Sequence, residues 1–261
     1  MNNSAPDSES WIKQFNQNGF CLLPQFFDEA SLASIRLIIE DFHQAWKEDN
    51  WSFYQFRAIN SAYLTDCKYL EDSQRTELFK FIANSRLVAA IAPLFNQIPG
   101  FMGTQLFFDP VDPKKKNYWH RDPQYHLDLA QQKIALKGPE VLHCRIALTD
   151  EPGLEVIPGS HKIWDTPEQL DVRLERNGRK NFEDLPQGVK IPLKAGDVLL
   201  FSANMIHRGH YGLDRLVLDI LYCEAEPELL KFVRSECLPS EAMLQQLPKA
   251  NPLAITKALL A

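Results

Sequence analysis

Asn117-Tyr118-Trp119-His120-Arg121-Asp122-Pro123 sets an imidazole and a carboxylate two residues apart. On an extended backbone, residues i and i+2 face the same side, so His120 and Asp122 can converge on one point. Such a pair supplies two of the three protein ligands in the facial triad that holds Fe(II) with open positions. The third ligand must be a histidine from elsewhere. His207, in Phe201-Ser202-Ala203-Asn204-Met205-Ile206-His207-Arg208-Gly209, is the best candidate. Two neighbours compete with these residues: His126-Leu127-Asp128 is a second HxD, and His210 lies close to His207.

Working outward, Ala195-Gly196-Asp197 introduces an apolar strand, Val198 to Phe201, that leads to His207. Arg215 then opens the alternating run Arg215 to Tyr222. A reversal near Tyr211-Gly212 would set His207 and Arg215 opposite each other on adjacent antiparallel strands. Arg215, Val217, Asp219 and Leu221 share one face of that run, and Leu216, Leu218, Ile220 and Tyr222 the other. An arginine beside an iron site suits bidentate capture of a carboxylate, such as the distal carboxylate of 2-oxoglutarate.

Period-two runs bounded by Pro and Gly continue through Thr104 to Phe108, His143 to Leu148 and Val189 to Pro192, the pattern of a β-rich core. Before Pro99-Gly100 the pattern is helical. Asp28 is a good N-cap for a helix whose apolar positions Leu32, Ile35, Ile38, Ile39, Phe42 and Trp46 recur at helical spacing. A short helix from Trp11 to Asn18, a strand Phe20 to Leu23, and helices over 73–83 and 85–94 complete this part, with residues 1–10 polar and frayed. Helical patterns return after Glu226. The polar run from Asp165 to Gln187 reads as an insertion or lid.

The chain has 261 residues, 45% of them hydrophobic and 24% charged, with a formal charge of −6. That is enough apolar material for a core, which excludes general disorder. The absence of net basic charge argues against a nucleic-acid or anionic-membrane binder. Five scattered cysteines form no CxxC and read as reduced thiols, which points to a cytoplasmic protein. The first residues lack the basic and apolar regions of a signal peptide, and no apolar run approaches the ~18 residues of a membrane span.

His120-x-Asp122, Ile157-Pro158-Gly159-Ser160-His161-Lys162, and Ala195-Gly196-Asp197 leading to His207 and Arg215 together resemble the phytanoyl-CoA dioxygenase family. Asn18-Gly19-Phe20-Cys21-Leu22-Leu23-Pro24 before a helix is similar to that family's opening, so the resemblance spans about residues 11 to 225. It implies an α+β, mainly β fold: a double-stranded β-helix (jelly-roll, cupin-like) with flanking helices. One domain over 1–261 is expected, with a helical layer over about 11–98, the β-core over 100–225 and C-terminal helices over 226–261. The resemblance also implies Fe(II) on His120, Asp122 and His207 and 2-oxoglutarate on Arg215. Gln105 matches a position whose side chain often lines such sites, and the family pattern favours His120/Asp122 over the second HxD.

The implied activity is a dioxygenase that hydroxylates a small molecule and releases succinate and CO2. Halogenating relatives carry a small residue at the carboxylate position, and Asp122 fills it here. Desaturation, cyclisation or epimerisation at the same centre, or a non-catalytic jelly-roll binding protein, remain as alternatives; oligomeric state is not readable. Two departures stand out. Arg145 occupies a place where the family often has Trp, and it shares a polar face with His143, so it is expected to bind an anionic group on the substrate or to assist with 2-oxoglutarate. Glu151-Pro152-Gly153-Leu154 replaces a common Asn-Gly-x-Leu turn. Lys114-Lys115-Lys116 reads as a solvated loop or a phosphate contact, and Trp51, Phe53, Tyr54 and Phe56 as core or pocket wall.

Overall fold

The computed structural model describes residues 8–249 and 251–261. Its strands are β1 (Phe20–Leu23), β2 (Asn60–Ala62), β3 (Gly100–Phe108), β4 (Val141–Ala147), β5 (Glu151–Val156), β6 (Val189–Leu193), β7 (Val198–Ser202), β8 (His207–Gly209) and β9 (Leu216–Cys223). They form two antiparallel sheets, one ordered β1-β7-β4-β9-β3-β2 and the other β6-β5-β8. With helices flanking them, this is the expected double-stranded β-helix.

Alternation along the central strands assigns each face of the larger sheet. Leu142, Cys144 and Ile146 of β4 and Leu218, Ile220 and Tyr222 of β9 are buried in one apolar cluster with the N-terminal helices. Those helices are α1 (Ser8–Asn18), α2 (Glu29–Asp49), α3 (Trp51–Phe56), α4 (Asp72–Ile82) and α5 (Ser85–Ile91). The Asp28 side chain accepts from the Ser31 amide at 2.8 Å to start α2, whose buried residues are the six read from the sequence spacing. Each fully buried Leu, Ile or Phe contributes roughly 1.5–3 kcal/mol, and this face holds the helical layer to the sheet. The opposite face of β4, β9 and β3 carries His143, Arg145, Asp219, Leu221, Gln105 and Phe107, which line a cavity of about 730 Å³.

The remaining helices are α6 (Leu129–Ala135), α7 (Pro167–Arg173), α8 (Pro227–Leu230), α9 (Glu241–Leu244) and α10 (Pro252–Leu260). The expectation of a frayed start over 1–10 lies outside the described residues up to Asp7, and α1 already begins at Ser8, three residues before Trp11.

Two expectations are corrected. His207 and Arg215 do not face each other across a hairpin. β8 pairs with β5 in the small sheet, whereas β9 pairs with β3 and β4 in the large one. Between them Gly212, Leu213 and Asp214 all adopt positive φ, so the chain crosses from one sheet to the other instead of folding back. The run from Asp165 to Gln187 is not a lid, since none of its residues lines the cavity. It contains α7, and Val172 and Leu185 bury with Trp119, Ile157 and Ile206.

Candidate metal centre and cavity

His120 sits outside the named strands, yet it forms a two-way antiparallel bridge with His207. Arg121, between the two HxD residues, is extended at φ −117°, ψ 139°, so His120 and Asp122 face the same side as the two-residue spacing requires. One ligand atom from each of His120, Asp122 and His207 lies within 4.8 Å of the others. The Asp122 Oδ1 is 3.4 Å from His120 Nε2 and 3.8 Å from His207 Nε2.

Backbone carbonyls fix the imidazole tautomers. His120 Nδ1 is 3.2 Å from the Tyr118 carbonyl, and His207 Nδ1 is 3.1 Å from the Met205 carbonyl. An Nδ1–H donated to a carbonyl leaves the Nε2 lone pair free to face a cation. Burial, with neighbouring His120, pushes the His207 pKa down to about 3, which keeps that ring neutral. Two imidazole nitrogens and one carboxylate are the donor set that suits a divalent iron with open positions.

The second oxygen of Asp122 is held as well. His143 Nε2 is 2.6 Å from Asp122 Oδ2, and His143 Nδ1 is 2.7 Å from Asp219 Oδ2. Burial opposes charge on both Asp122 and His143, but the mutual pairing wins. His143 is pushed up to about 10 by Asp219 and Asp122, and Asp122 is held well below the usual carboxylate range chiefly by His143. Period-two alternation puts His143 on the same face as Arg145 but gives it no partner. The signal was an inward Asp219 on the neighbouring strand, in register with Arg145.

Motifs around the centre brace it. The buried Arg121 guanidinium donates to Asp165 Oδ1 at 2.9 Å and to the carbonyls of Ser160, Asn204 and Ile163. Arg173 of α7 donates to the other Asp165 oxygen at 2.8 Å. Trp119 donates its amide to Asn181 O and its indole N–H to Glu183 O. In the Pro-Gly-Ser turn, Ser160 Oγ accepts from the Ile206 amide at 2.9 Å. Thus the 165–187 segment anchors the backbone that carries the ligands. Gly196, at φ 93°, permits the turn before β7, where a Cβ would lie 2.2 Å from Phe27 O.

Arg215 lines the cavity just before β9. It donates to the carbonyls of Phe108 and His210 and lies 3.3 Å from Asp109. Burial, with Arg145 nearby, lowers its pKa to about 10, so it stays cationic at neutral pH. A Cβ on Gly209 would come 3.2 Å from Arg215 Nη1, so glycine there lets the backbone approach the guanidinium closely. Gln105 lines the same cavity, one strand across from Asp219.

Arg145 is a buried cation at the cavity, as the sequence led us to expect, and it is paired within the chain. Glu151 Oε1 and Oε2 accept from its Nε and Nη2 at 2.9 and 2.6 Å, and both residues are almost fully buried. The residue that departs from the common family turn is therefore its partner.

The competing residues go elsewhere. Asp128 caps α6 by accepting from the Gln131 amide, and His126 packs on Phe232 at 5.0 Å between ring centroids. His210 lies beside Glu155 and Asn117. His161 packs against Phe15 and beneath Gly19. Lys114 and Lys116 are exposed, and none of Trp51, Phe53, Tyr54 or Phe56 lines the cavity.

Residues 15–211, which carry the iron-ligand candidates and the Pro-Gly-Ser turn, match the family described as phytanoyl-CoA dioxygenase (PhyH). The chain belongs to the phytanoyl-CoA dioxygenase family. Among curated relatives, the ectoine dioxygenase of Stutzerimonas stutzeri (strain A1501) is 24% identical over 233 residues, covering 78% of this chain and 72% of that enzyme. Family likeness extends to solved folds. HygX from Streptomyces hygroscopicus, with nickel and 2-oxoglutarate bound, superposes with a TM-score of 0.61 at 17% identity, over 82% of this chain and 86% of HygX. The α-ketoglutarate-dependent epimerase SnoN of nogalamycin biosynthesis gives 0.54 at 17%, over 84% and 83%. Within this family member, no helix among the described residues is long and apolar enough to cross a membrane.

Proposed function

We propose that this protein is an Fe(II)- and 2-oxoglutarate-dependent dioxygenase that hydroxylates a small molecule, with His120, Asp122 and His207 as iron ligands. The observation that carries this reading is the convergence of those three ligand atoms, from two separate chain segments, at the wall of a large cavity. Bound iron would couple the oxidative decarboxylation of 2-oxoglutarate by dioxygen, giving succinate and CO2, to insertion of the second oxygen atom into a substrate C–H bond.

The chain's own residues bind and orient. His120 and His207 hold Nδ1 against backbone carbonyls and present Nε2, and Asp122 presents one oxygen while His143 retains the other. Arg215, cationic and buried at the cavity wall, suits the distal carboxylate of 2-oxoglutarate, with Gln105 lining the same space. A substrate packed on the apolar walls would displace water, which strengthens each electrostatic contact. Asp122 occupies the ligand position with a carboxylate, which favours hydroxylation over halogenation. We place the protein in the cytoplasm, because all five cysteines are free thiols, and read it as a single catalytic unit, because His120, Asp122 and His207 converge at one point.

A second reading is supported by the likeness to SnoN: the same centre could perform epimerisation, or desaturation or cyclisation, on a suitably held substrate. A non-catalytic binding role has less support, because it needs no such ligand set. Succinate formation from 2-oxoglutarate, dependent on added Fe(II) and lost in His207→Ala, is the expected result. Absence of both iron binding and succinate would overturn the proposal, and product mass separates the reactions: hydroxylation adds one oxygen atom, and epimerisation leaves mass unchanged.

A further inference from the structure

The charged side chains around the cavity are already matched by partners within the chain. Arg145 is closed bidentately by Glu151, and Asp219 by His143. At the mouth, Lys231 pairs with Glu228 at 2.7 Å. Arg215 is the cation assigned above to 2-oxoglutarate. Much of the remaining wall is apolar, including Ile59, Tyr63, Met102, Phe107, Leu221 and Phe232, with the Asn60 carboxamide among them.

A buried anion is tolerated only where a cation and further hydrogen bonds compensate its lost hydration. The Arg145 guanidinium lies against the Phe107 ring, 5.1 Å from its centroid. Its neighbour across the ladder is Asp219, another carboxylate. An acid entering here would meet an Arg145 whose charge is already matched by Glu151, buried behind it and outside the cavity lining, and an Asp219 already paired with His143, and would gain no net attraction.

We propose that the cavity selects a neutral, mainly apolar small molecule whose few polar groups are hydroxyls or carbonyls, and that the Arg145–Glu151 pair excludes carboxylates. This rests on the reading that iron and 2-oxoglutarate occupy the triad and Arg215, and it replaces the sequence expectation of an anionic substrate. Burial of apolar surface drives binding, while Asn60 offers a donor and an acceptor to a neutral group. An internally paired arginine keeps the wall polar without leaving it charged.

The test compares 2-naphthamide with 2-naphthoate, equal in shape and different in charge. Binding is measured by fluorescence titration on the full chain held without oxygen, with Fe(II) and saturating 2-oxoglutarate, so that Arg215 is occupied. The amide is expected to bind at least tenfold more tightly. Equal or tighter binding of the naphthoate, or no binding of either compound, overturns the inference. In Glu151→Gln the Arg145 charge is released, and naphthoate affinity should rise at least tenfold with little change for the amide. An unchanged ratio in a folded variant also overturns it. If that variant does not fold, the wild-type ratio decides. Should iron or 2-oxoglutarate fail to bind in their own titrations, the dioxygenase reading fails; if both bind and naphthoate is preferred, only the substrate inference fails.

Discussion

His120 and His207 exchange both backbone hydrogen bonds, each amide donating to the other's carbonyl at 2.9 Å. The two imidazole ligands are thereby mounted on one β-bridge, and their ring centroids lie 4.2 Å apart. Ligand geometry is set by the backbone rather than by a metal.

It follows that metal removal leaves the fold intact. Chelator-treated protein should keep its far-UV circular dichroism and still unfold cooperatively. Adding Fe(II) at about a hundred times its dissociation constant should stabilise the native state by about 2.7 kcal/mol through mass action, raising Tm by roughly 5–10 °C for a chain of this size. Loss of secondary structure on chelation would show instead that the metal organises the site.

His143 acts on the metal through Asp122. Replacing an outer hydrogen-bond partner of a ligand typically weakens metal affinity about 10- to 100-fold. His143→Phe should therefore raise the Fe(II) dissociation constant by that factor, while 2-oxoglutarate affinity at saturating metal changes little. Competition titration with a chromogenic chelator measures the first, and succinate formation at varied 2-oxoglutarate the second. An unchanged iron affinity would leave the 2.6 Å contact to Asp122 without a functional consequence.

How much of this was readable from sequence depends on the range of the interaction. Strand alternation grouped His143 with Arg145 and Asp219 with Arg215, each pair on one face, because period two is local; that both faces turn to the cavity comes from the structure. Helix α2 was equally legible, since its N-cap and apolar stripe lie within the segment itself. Strand pairing was not. Nothing near His207 marks β8 as joining β5, and β8 is only three residues long. Likewise Arg145 and Glu151 are close in sequence, yet their bidentate contact follows from the turn that connects β4 to β5, in different sheets. The role of Asp165 as a counterion for Arg121 and Arg173 is equally invisible, because a polar run looks the same whether it covers a site or anchors it.

Arg121 is a structural anchor, and its loss should appear in stability before chemistry. Its guanidinium is buried with five hydrogen-bonding and charge contacts that link the HxD backbone to residues 160–165 and Asn204. Removing one member of a buried ion pair leaves the others under-compensated, at a cost of about 3 kcal/mol or more. Arg121→Met should lower the free energy of unfolding by that amount in urea. A change below 1 kcal/mol would mean that Arg173 alone satisfies Asp165.

Glu140 gives the protein a pH-dependent stability away from the metal centre. Burial, aided by Glu224, pushes its carboxyl from an ordinary 4.5 up to about 7 against the opposing Ser202 hydrogen bond, in which Ser202 Oγ donates to Glu140 Oε1 at 2.6 Å. The folded state therefore holds this proton more tightly than the unfolded chain. Its contribution is fully present below about pH 4.5 and is lost as pH rises through about 7. One pKa unit corresponds to about 1.4 kcal/mol, and partial exposure of the side chain reduces the total to roughly 1–3 kcal/mol. Glu140→Gln keeps an acceptor for Ser202 but cannot ionise. Relative to wild type it should be near neutral at pH 5 and more stable at pH 8, as read by urea unfolding at both values. A difference that is the same at both pH values would show that Glu140 does not titrate with folding.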